Sequence, residues 1–133
     1  MNNKPLILKT FNKQMTEFID DITLIFPNEK DIIVLGTFMK TIMYGKPRSV
    51  IEVWYNYVSL KYSSQIENGE IDYFVNKDYK EDLGNSSNTK ETLEAIDKLR
   101  NTIKKALEMN INREKTIKYV QNITKLAKIY YSD

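Results

Sequence analysis

Basic side chains in the C-terminal third of the chain could bind phosphate groups. From residue 85 onward there are 10 basic and 6 acidic residues, a net charge of +4. On a helix with 100° between residues, Lys118, Gln121, Lys125 and Lys128 lie within about 80° of each other, beside the apolar face. Such a stripe can follow a nucleic-acid backbone. Further basic residues of this region complete the candidate nucleic-acid or anion site: Lys98, Lys104, Lys105 and Arg113. The alternative is a solvated helix face, because the whole chain carries a net charge of only +2.

Catalytic and metal-binding chemistry finds little support in the sequence. The chain contains no histidine, which is the commonest general base and metal ligand. It also contains no cysteine, which is a common nucleophile and metal ligand. Asp78, Glu81 and Asp82, with Asp72 nearby, could hold a divalent cation only if their oxygens converged. We interpret them as solubilising. We therefore expect no catalytic residue, no metal and no cofactor, and a protein that is not an enzyme.

Aromatic side chains are concentrated between residues 54 and 62. Trp54, Tyr55, Tyr57 and Tyr62 could form a stacking or peptide-binding platform, but aromatics on most sides of a helix are more often core. Tyr55, Tyr130 and Tyr131 are expected near the surface, where a ring with a polar tip often marks an interface. These three tyrosines are the candidate partner interface.

The elements that must position these residues are all helical. Apolar spacing of three and four predicts helices over about 10–26, 29–44, 47–66, 89–108 and 113–130, with a short helix between 70 and 84. Asn28 and Asn112 are the expected caps of the second and last helices, and Asn88 with Glu91 forms a capping box. Residues 47–66 are apolar over most of the circumference, which predicts a central helix packed on several sides.

The predicted architecture is a single all-α domain of five to six helices covering residues 1–133. Its N-terminal helices span 10–83, a turn-forming linker covers 84–88, and a C-terminal helical hairpin occupies 89–131. The longest apolar stretch, 32–36, is far short of the roughly 20 residues that cross a bilayer. We expect an intracellular protein with no membrane association.

The order of several short motifs resembles a known group of sequences. The motifs run from Phe18-Ile19-Asp20-Asp21-Ile22 through the 53–58, 66–79 and 95–100 segments to Lys118-Tyr119-Val120-Gln121-Asn122. This order is similar to that of small uncharacterised helical proteins of giant nucleocytoplasmic DNA viruses, among them mimivirus-like and algal viruses. The resemblance implies a viral origin and no particular activity. The segment 35–40 departs from the more basic second helix that the resemblance implies.

The expected function is that of a non-enzymatic viral structural or protein-interaction protein that acts through a helical surface. It would work in the virus factory of the host cytoplasm or in the virion, with a viral or host protein as partner or as a homo-oligomer. The alternative is a nucleic-acid-associated accessory protein that uses the basic C-terminal hairpin. A small regulatory domain that binds a host protein is a third interpretation.

Overall fold

The computed structural model describes residues 3–76, 90–110 and 112–132, and within these ranges all regular structure is helical. Within the described residues, α-helices enclose one apolar core, and a π-helical turn, Tyr55–Ser59, lies between the third and fourth of them. The helices are α1 (Lys4–Ile25), α2 (Lys30–Gly45), α3 (Ser49–Trp54), α4 (Leu60–Glu67), α5 (Asp72–Asn76), α6 (Lys90–Glu108) and α7 (Arg113–Tyr130). The predicted all-α class is confirmed. The predicted linker 84–88, the cap Asn88 and the acidic residues Asp78, Glu81 and Asp82 lie outside the described residues.

Helix α1 begins six residues before its predicted start at residue 10. The side chain of Asn3 accepts a hydrogen bond from the Leu6 amide at 3.3 Å, and Pro5 lies in the first turn. Proline suits this position because its missing N–H would have no partner there. The predicted apolar face is confirmed, since Phe11, Met15, Phe18 and Ile22 are buried.

Helix α2 packs closely on α1 at a glycine. A Cβ atom placed on Gly36 would lie 2.9 Å from Cγ2 of Ile19, which is closer than van der Waals contact. The predicted cap of α2 by Asn28 is wrong: the N-cap is Glu29, whose side chain does not cap the helix. The carboxylate of Glu29 instead forms an ion pair with Lys105 of α6.

The substitution Gly36→Ala is expected to lower the free energy of unfolding by up to about 2 kcal/mol. Overpacking a core contact costs about 1–3 kcal/mol, and the higher helix propensity of alanine offsets about 1 kcal/mol of this cost. Gly45→Ala is the matched control, because no atom lies within 4 Å of its added Cβ. Denaturant unfolding of both variants checks the prediction, and equal stability of the two would contradict it.

Helices α3 and α4 and the π-helical turn between them follow one another without a break, and we call them the central helix (residues 49–67). It begins at Ser49 and not at the predicted Pro47, whose carbonyl accepts a hydrogen bond from Asn12 Nδ2 at 3.0 Å. Trp54 is fully buried, which confirms that this aromatic belongs to the core.

The π-helical turn changes which residues of the central helix face the core. A π turn contains one extra residue, so every later position is rotated by about 100° relative to a regular α-helix. Ser59 is accordingly only 2% exposed, while Leu60 is 62% exposed. The sequence pattern predicted the opposite for these two residues, because it assumed unbroken α-helical periodicity.

A left-handed glycine ends the central helix, as the pair Asn68-Gly69 predicted. Gly69 has φ of +81°, its amide donates to the Ile66 carbonyl, and the amide of Glu70 donates to the carbonyl of Gln65. This is the Schellman pattern, which satisfies carbonyls at a helix end. Helix α5 follows, with Phe74 and Val75 buried as predicted.

Helices α6 and α7 present the apolar faces that their spacing predicted. The spacing places Leu93, Ile96, Leu99, Ile103 and Leu107 of α6 and Ile117, Val120, Ile123 and Ala127 of α7 inward, and all are buried except Ile117, which is half-buried. Each helix makes its most extensive contacts with N-terminal helices: α6 with α2, and α7 with α1. Asn112 is at the N-cap of α7, but its left-handed backbone leaves the side chain without a capping hydrogen bond, so the predicted side-chain cap is wrong.

A polar cluster joins the surface edges of α1 and α7. The Tyr119 ring stacks on Phe18, with ring centroids 4.9 Å apart, and its hydroxyl donates to Asp21 Oδ2 at 2.8 Å. Lys115 Nζ is 3.1 Å from the same oxygen. The hydrogen bond from Tyr119 lowers the pKa of Asp21, partial burial opposes this shift, and Lys115 lowers the pKa further. Burial and then Asp21 raise the pKa of Tyr119 to about 12.

Candidate protein-interaction surface

The solvent side of α2 is uncharged over most of its length. The residues that are exposed on this side, which we call the α2 face, are Ile33, Val34, Thr37, Phe38, Thr41, Tyr44 and Gly45. Val34 is 66% and Tyr44 is 92% exposed. On a helical wheel the α2 face spans about 140°. Large apolar and aromatic side chains that are exposed together on one uncharged helix side are typical of an interaction site.

Charged groups border the α2 face without interrupting it. Lys40 is the one charged residue between Asp31 and Lys46, and its Nζ lies 2.5 Å from Oδ1 of Asp20 on α1. This ion pair draws the lysine to the α1 edge of the helix. A partner that covered the α2 face would therefore leave its bordering charges at a polar rim, as in protein interfaces.

A groove between α2 and α6 adjoins the α2 face. Its volume is about 660 Å³, and its walls include Val34 and Phe38 on one side and Glu94 and Lys98 on the other. Phe38 also borders a second depression, of about 980 Å³, beside the start of the central helix. The half-exposed ring of Phe38 thus stands between two concave surfaces, a position suited to an anchor residue.

The structure separates the predicted basic residues. Lys98 lines the α2–α6 groove, whereas Lys105 pairs with Glu29 and lies 5.1 Å above the Phe26 ring. Lys125 and Lys128 line a groove between α4 and α7. The remaining basic candidates are Lys104, which is half-buried, and Arg113 and Lys118, which are exposed. The predicted basic site is therefore distributed over several surfaces, and only the α7 stripe stays together.

The predicted tyrosine interface is only partly at the surface. Tyr55 and Tyr131 are half-buried and stack with ring centroids 4.4 Å apart. Tyr130 is 8% exposed, so its expected position near the surface is wrong. The ring packs into the core at the end of α7, with Lys4 Nζ 5.4 Å from its centroid. Burial and then the charge of Glu52 raise the pKa of Tyr131 to about 12.

The substitution Tyr131→Phe is expected to remove part of the tyrosinate absorbance that develops near pH 12. A folded-state pKa above the ordinary value of 10 means that the folded protein holds this proton more tightly than the unfolded chain. The resulting stabilisation is complete below about pH 10 and is lost as the pH rises through about 12. Ultraviolet titration of both proteins checks this, and a loss of absorbance near pH 10 in the variant would show instead a solvated Tyr131.

Neither a cluster of metal-ligating side chains nor a membrane-spanning helix occurs in the part of the chain that the structure describes. Residues 3–76, 90–110 and 112–132 contain no group of three or more acidic side chains able to hold a metal ion, and Asp72 is exposed. None of the described helices is both long and apolar enough to span a membrane. Comparisons of the chain with protein-family models, curated proteins and solved structures find no match.

Sequence reasoning missed the α2 face. The spacing of Ile32, Leu35, Met39 and Ile42 predicts the side of this helix that faces the core, with Phe38 and Met43 at the edges of that side. The sequence contained a signal for this face. Ile33, Val34 and Tyr44 lie outside the core-facing side, so the helix carries more apolar and aromatic residues than its contact with the core requires.

Proposed function

We propose that this chain is a non-enzymatic protein-interaction protein that binds a helix of a partner through the α2 face. The observation that carries the proposal is the exposure of Val34, Phe38 and Tyr44 on one uncharged helix side. Burying these side chains against a partner would remove apolar area from water, with the charged side chains Glu94 and Lys98 of the adjoining groove at the border of the interface.

The shape of the surface favours a helical partner. An amphipathic helix can rest its apolar side on the α2 face and insert side chains into the α2–α6 groove, which is the helix-in-groove mode of recognition. From the resemblance to proteins of giant DNA viruses, we further propose that the partner is a viral or host protein. The site of action would be the virus factory of the host cytoplasm or the virion.

Site-specific photo-crosslinking tests this function. A benzophenone amino acid replaces Phe38 in one variant and Leu24 in another. Both variants are expressed in the cells that naturally produce the chain. Leu24 is 76% exposed on α1 and is not part of the α2 face, so it is the matched control. We expect a discrete protein adduct from position 38 that position 24 does not give. Identical adduct patterns from the two positions would contradict the proposal.

A nucleic-acid-associated role is the second candidate function. One observation favours it: Lys118, Lys125 and Lys128 are exposed along one face of α7, and none forms an ion pair with another described residue. A stripe of unpaired lysines can neutralise phosphates and release counterions.

The triple substitution of Lys118, Lys125 and Lys128 by glutamine tests this role. If the stripe binds duplex DNA, the slope of log affinity against log salt is expected to become shallower by about three, since each contact contributes about 0.9. Lysine and glutamine have similar helix propensities, so the fold is expected to persist. Fluorescence anisotropy at several salt concentrations measures the slope. An unchanged slope would show that these three lysines do not contact the DNA phosphates.

A further inference from the structure

We propose that the α4–α7 groove is a binding site for a small organic anion, a ligand with an apolar body and a phosphate or carboxylate group. The groove has a volume of about 460 Å³, within the range of about 300–1,000 Å³ that small-molecule sites occupy. It lies outside the α2 face and is independent of the interaction proposed there, and it shares Lys125 and Lys128 with the α7 stripe of the second candidate function.

The π-helical turn builds one wall of this groove. Trp54 and Ser59, at the two ends of the turn, both bond to Thr124 of α7: the Trp54 Nε1 donates to Thr124 Oγ1 at 3.0 Å, and the Ser59 hydroxyl donates to the Thr124 carbonyl at 3.1 Å. The rotation of about 100° that the turn introduces brings Ser63 and Ile66 of α4 toward α7. In an unbroken α-helix these two side chains would be rotated by about 100° about the helix axis relative to Trp54, and this wall of the groove would have a different lining.

Contacts between α4 and α7 keep the groove in shape. Gln121 Nε2 donates to the carbonyls of Ile66 and Glu67, at 3.1 Å and 3.3 Å, and so ties α7 to the last turn of α4. Ile66 is 1% exposed and forms an apolar floor with Ile129. The site is therefore formed before a ligand binds, and ordering it on binding costs little free energy.

The charged side chains that line the groove are mainly cationic. Lys125 and Lys128 supply two positive charges, against one carboxylate from Glu67. Asn122 and Ser63 add an amide and a hydroxyl. Thr124 Oγ1 accepts the Trp54 hydrogen bond, so the hydroxyl keeps its own hydrogen for donation. Donors and cations around an apolar floor suit a ligand that is anionic at one end and apolar at the other.

Titration with simple probes tests the site. The probes are phenyl phosphate, phenylacetate, neutral benzyl alcohol and inorganic phosphate, added to the isotopically labelled full chain and followed by amide chemical shifts. Trp54 is the single tryptophan and bonds to a residue that lines the groove, so its fluorescence is a second readout. We expect phenyl phosphate or phenylacetate to bind at least about tenfold more tightly than benzyl alcohol and inorganic phosphate, with shifts centred on residues 121–128. The stronger of the two anions identifies the charged group.

Variants assign the binding to the groove. The double substitution Lys125→Gln and Lys128→Gln is expected to weaken the stronger anion about tenfold or more, whereas Lys118→Gln, on the same helix but outside the groove lining, should leave its affinity unchanged. Ser63→Phe should block binding by filling the groove. Shifts of the wild-type chain that cluster elsewhere, or anions that bind no better than benzyl alcohol, would overturn the proposal even if a variant failed to fold.

Discussion

Replacing Trp54 by alanine is expected to lower the free energy of unfolding by about 3–5 kcal/mol. The indole is 0% exposed, packs against Phe74 with ring centroids 5.2 Å apart, and donates its N–H to Thr124. The substitution removes a large apolar surface and leaves a cavity in the middle of the central helix. Domains of this size have a total stability of about 5–15 kcal/mol, so the variant should be marginally folded. Chemical denaturation of both proteins measures the difference.

Two further variants separate packing from hydrogen bonding at this position. Trp54→Phe keeps an aromatic ring but loses the donor, and Thr124→Val removes the acceptor and leaves the indole N–H buried without a partner. Each is expected to cost less than Trp54→Ala, with about 1–3 kcal/mol for Thr124→Val. A loss of less than about 1 kcal/mol for Trp54→Ala itself would place the ring outside the core.

The helices and their buried faces could be predicted from the sequence because apolar periodicity is a local property of the chain. On α6, for example, Leu93, Ile96 and Ile103 follow the spacing of one helix face, and all three are buried. Helix starts were less predictable. Glu29 precedes α2 and has no capping hydrogen bond, because its carboxylate bonds to Lys105, which is distant in the sequence.

The π-helical turn could not be predicted in this way. Nothing in Tyr55-Asn56-Tyr57-Val58-Ser59 signals an extra residue, and the hydrogen bonds that connect the turn to the rest of the fold go to Thr124, 65 or more residues away. The burial of Ser59 and the exposure of Leu60, the reverse of what unbroken periodicity predicts, follow from that tertiary contact. The α4–α7 groove depends on the same rotation, so the sequence could indicate its lysines but not its walls.

The α2 face was missed for a different reason. Periodicity identifies the apolar residues that fit a core, and it gives no measure of how many a helix needs. Val34 and Tyr44 remain exposed because α1 and α6 already cover the inward side of α2. Which apolar residues are surplus depends on how the neighbouring helices pack, and this information is distributed over the whole chain.

Breaking the buried ion pair of α6 is expected to produce the second large loss of stability. Arg100 Nε lies 3.0 Å from Asp97 Oδ1, and the two side chains are only 7% and 6% exposed. The guanidinium also donates to the Val75 carbonyl in the last turn of α5, so it joins α5 to α6. Arg100→Met should cost about 3–5 kcal/mol, because it removes the cation that lies beside the buried Asp97 carboxylate and the donor to the Val75 carbonyl.

The double variant Arg100→Met with Asp97→Ala distinguishes a charge effect from a loss of packing. Removing both charged groups should recover part of the stability lost in Arg100→Met, since a buried carboxylate that has lost a neighbouring cation is more destabilising than the absence of both groups. The exposed pair of Lys40 and Asp20 is the matched control: both side chains are about half exposed, and Lys40→Met should cost no more than about 1 kcal/mol. Denaturant unfolding of the wild type, Arg100→Met, Asp97→Ala and the double variant completes the cycle, with Lys40→Met measured beside them. If the double variant loses the sum of the two single losses, the contribution of Arg100 lies in its contacts with α5 and not in its charge.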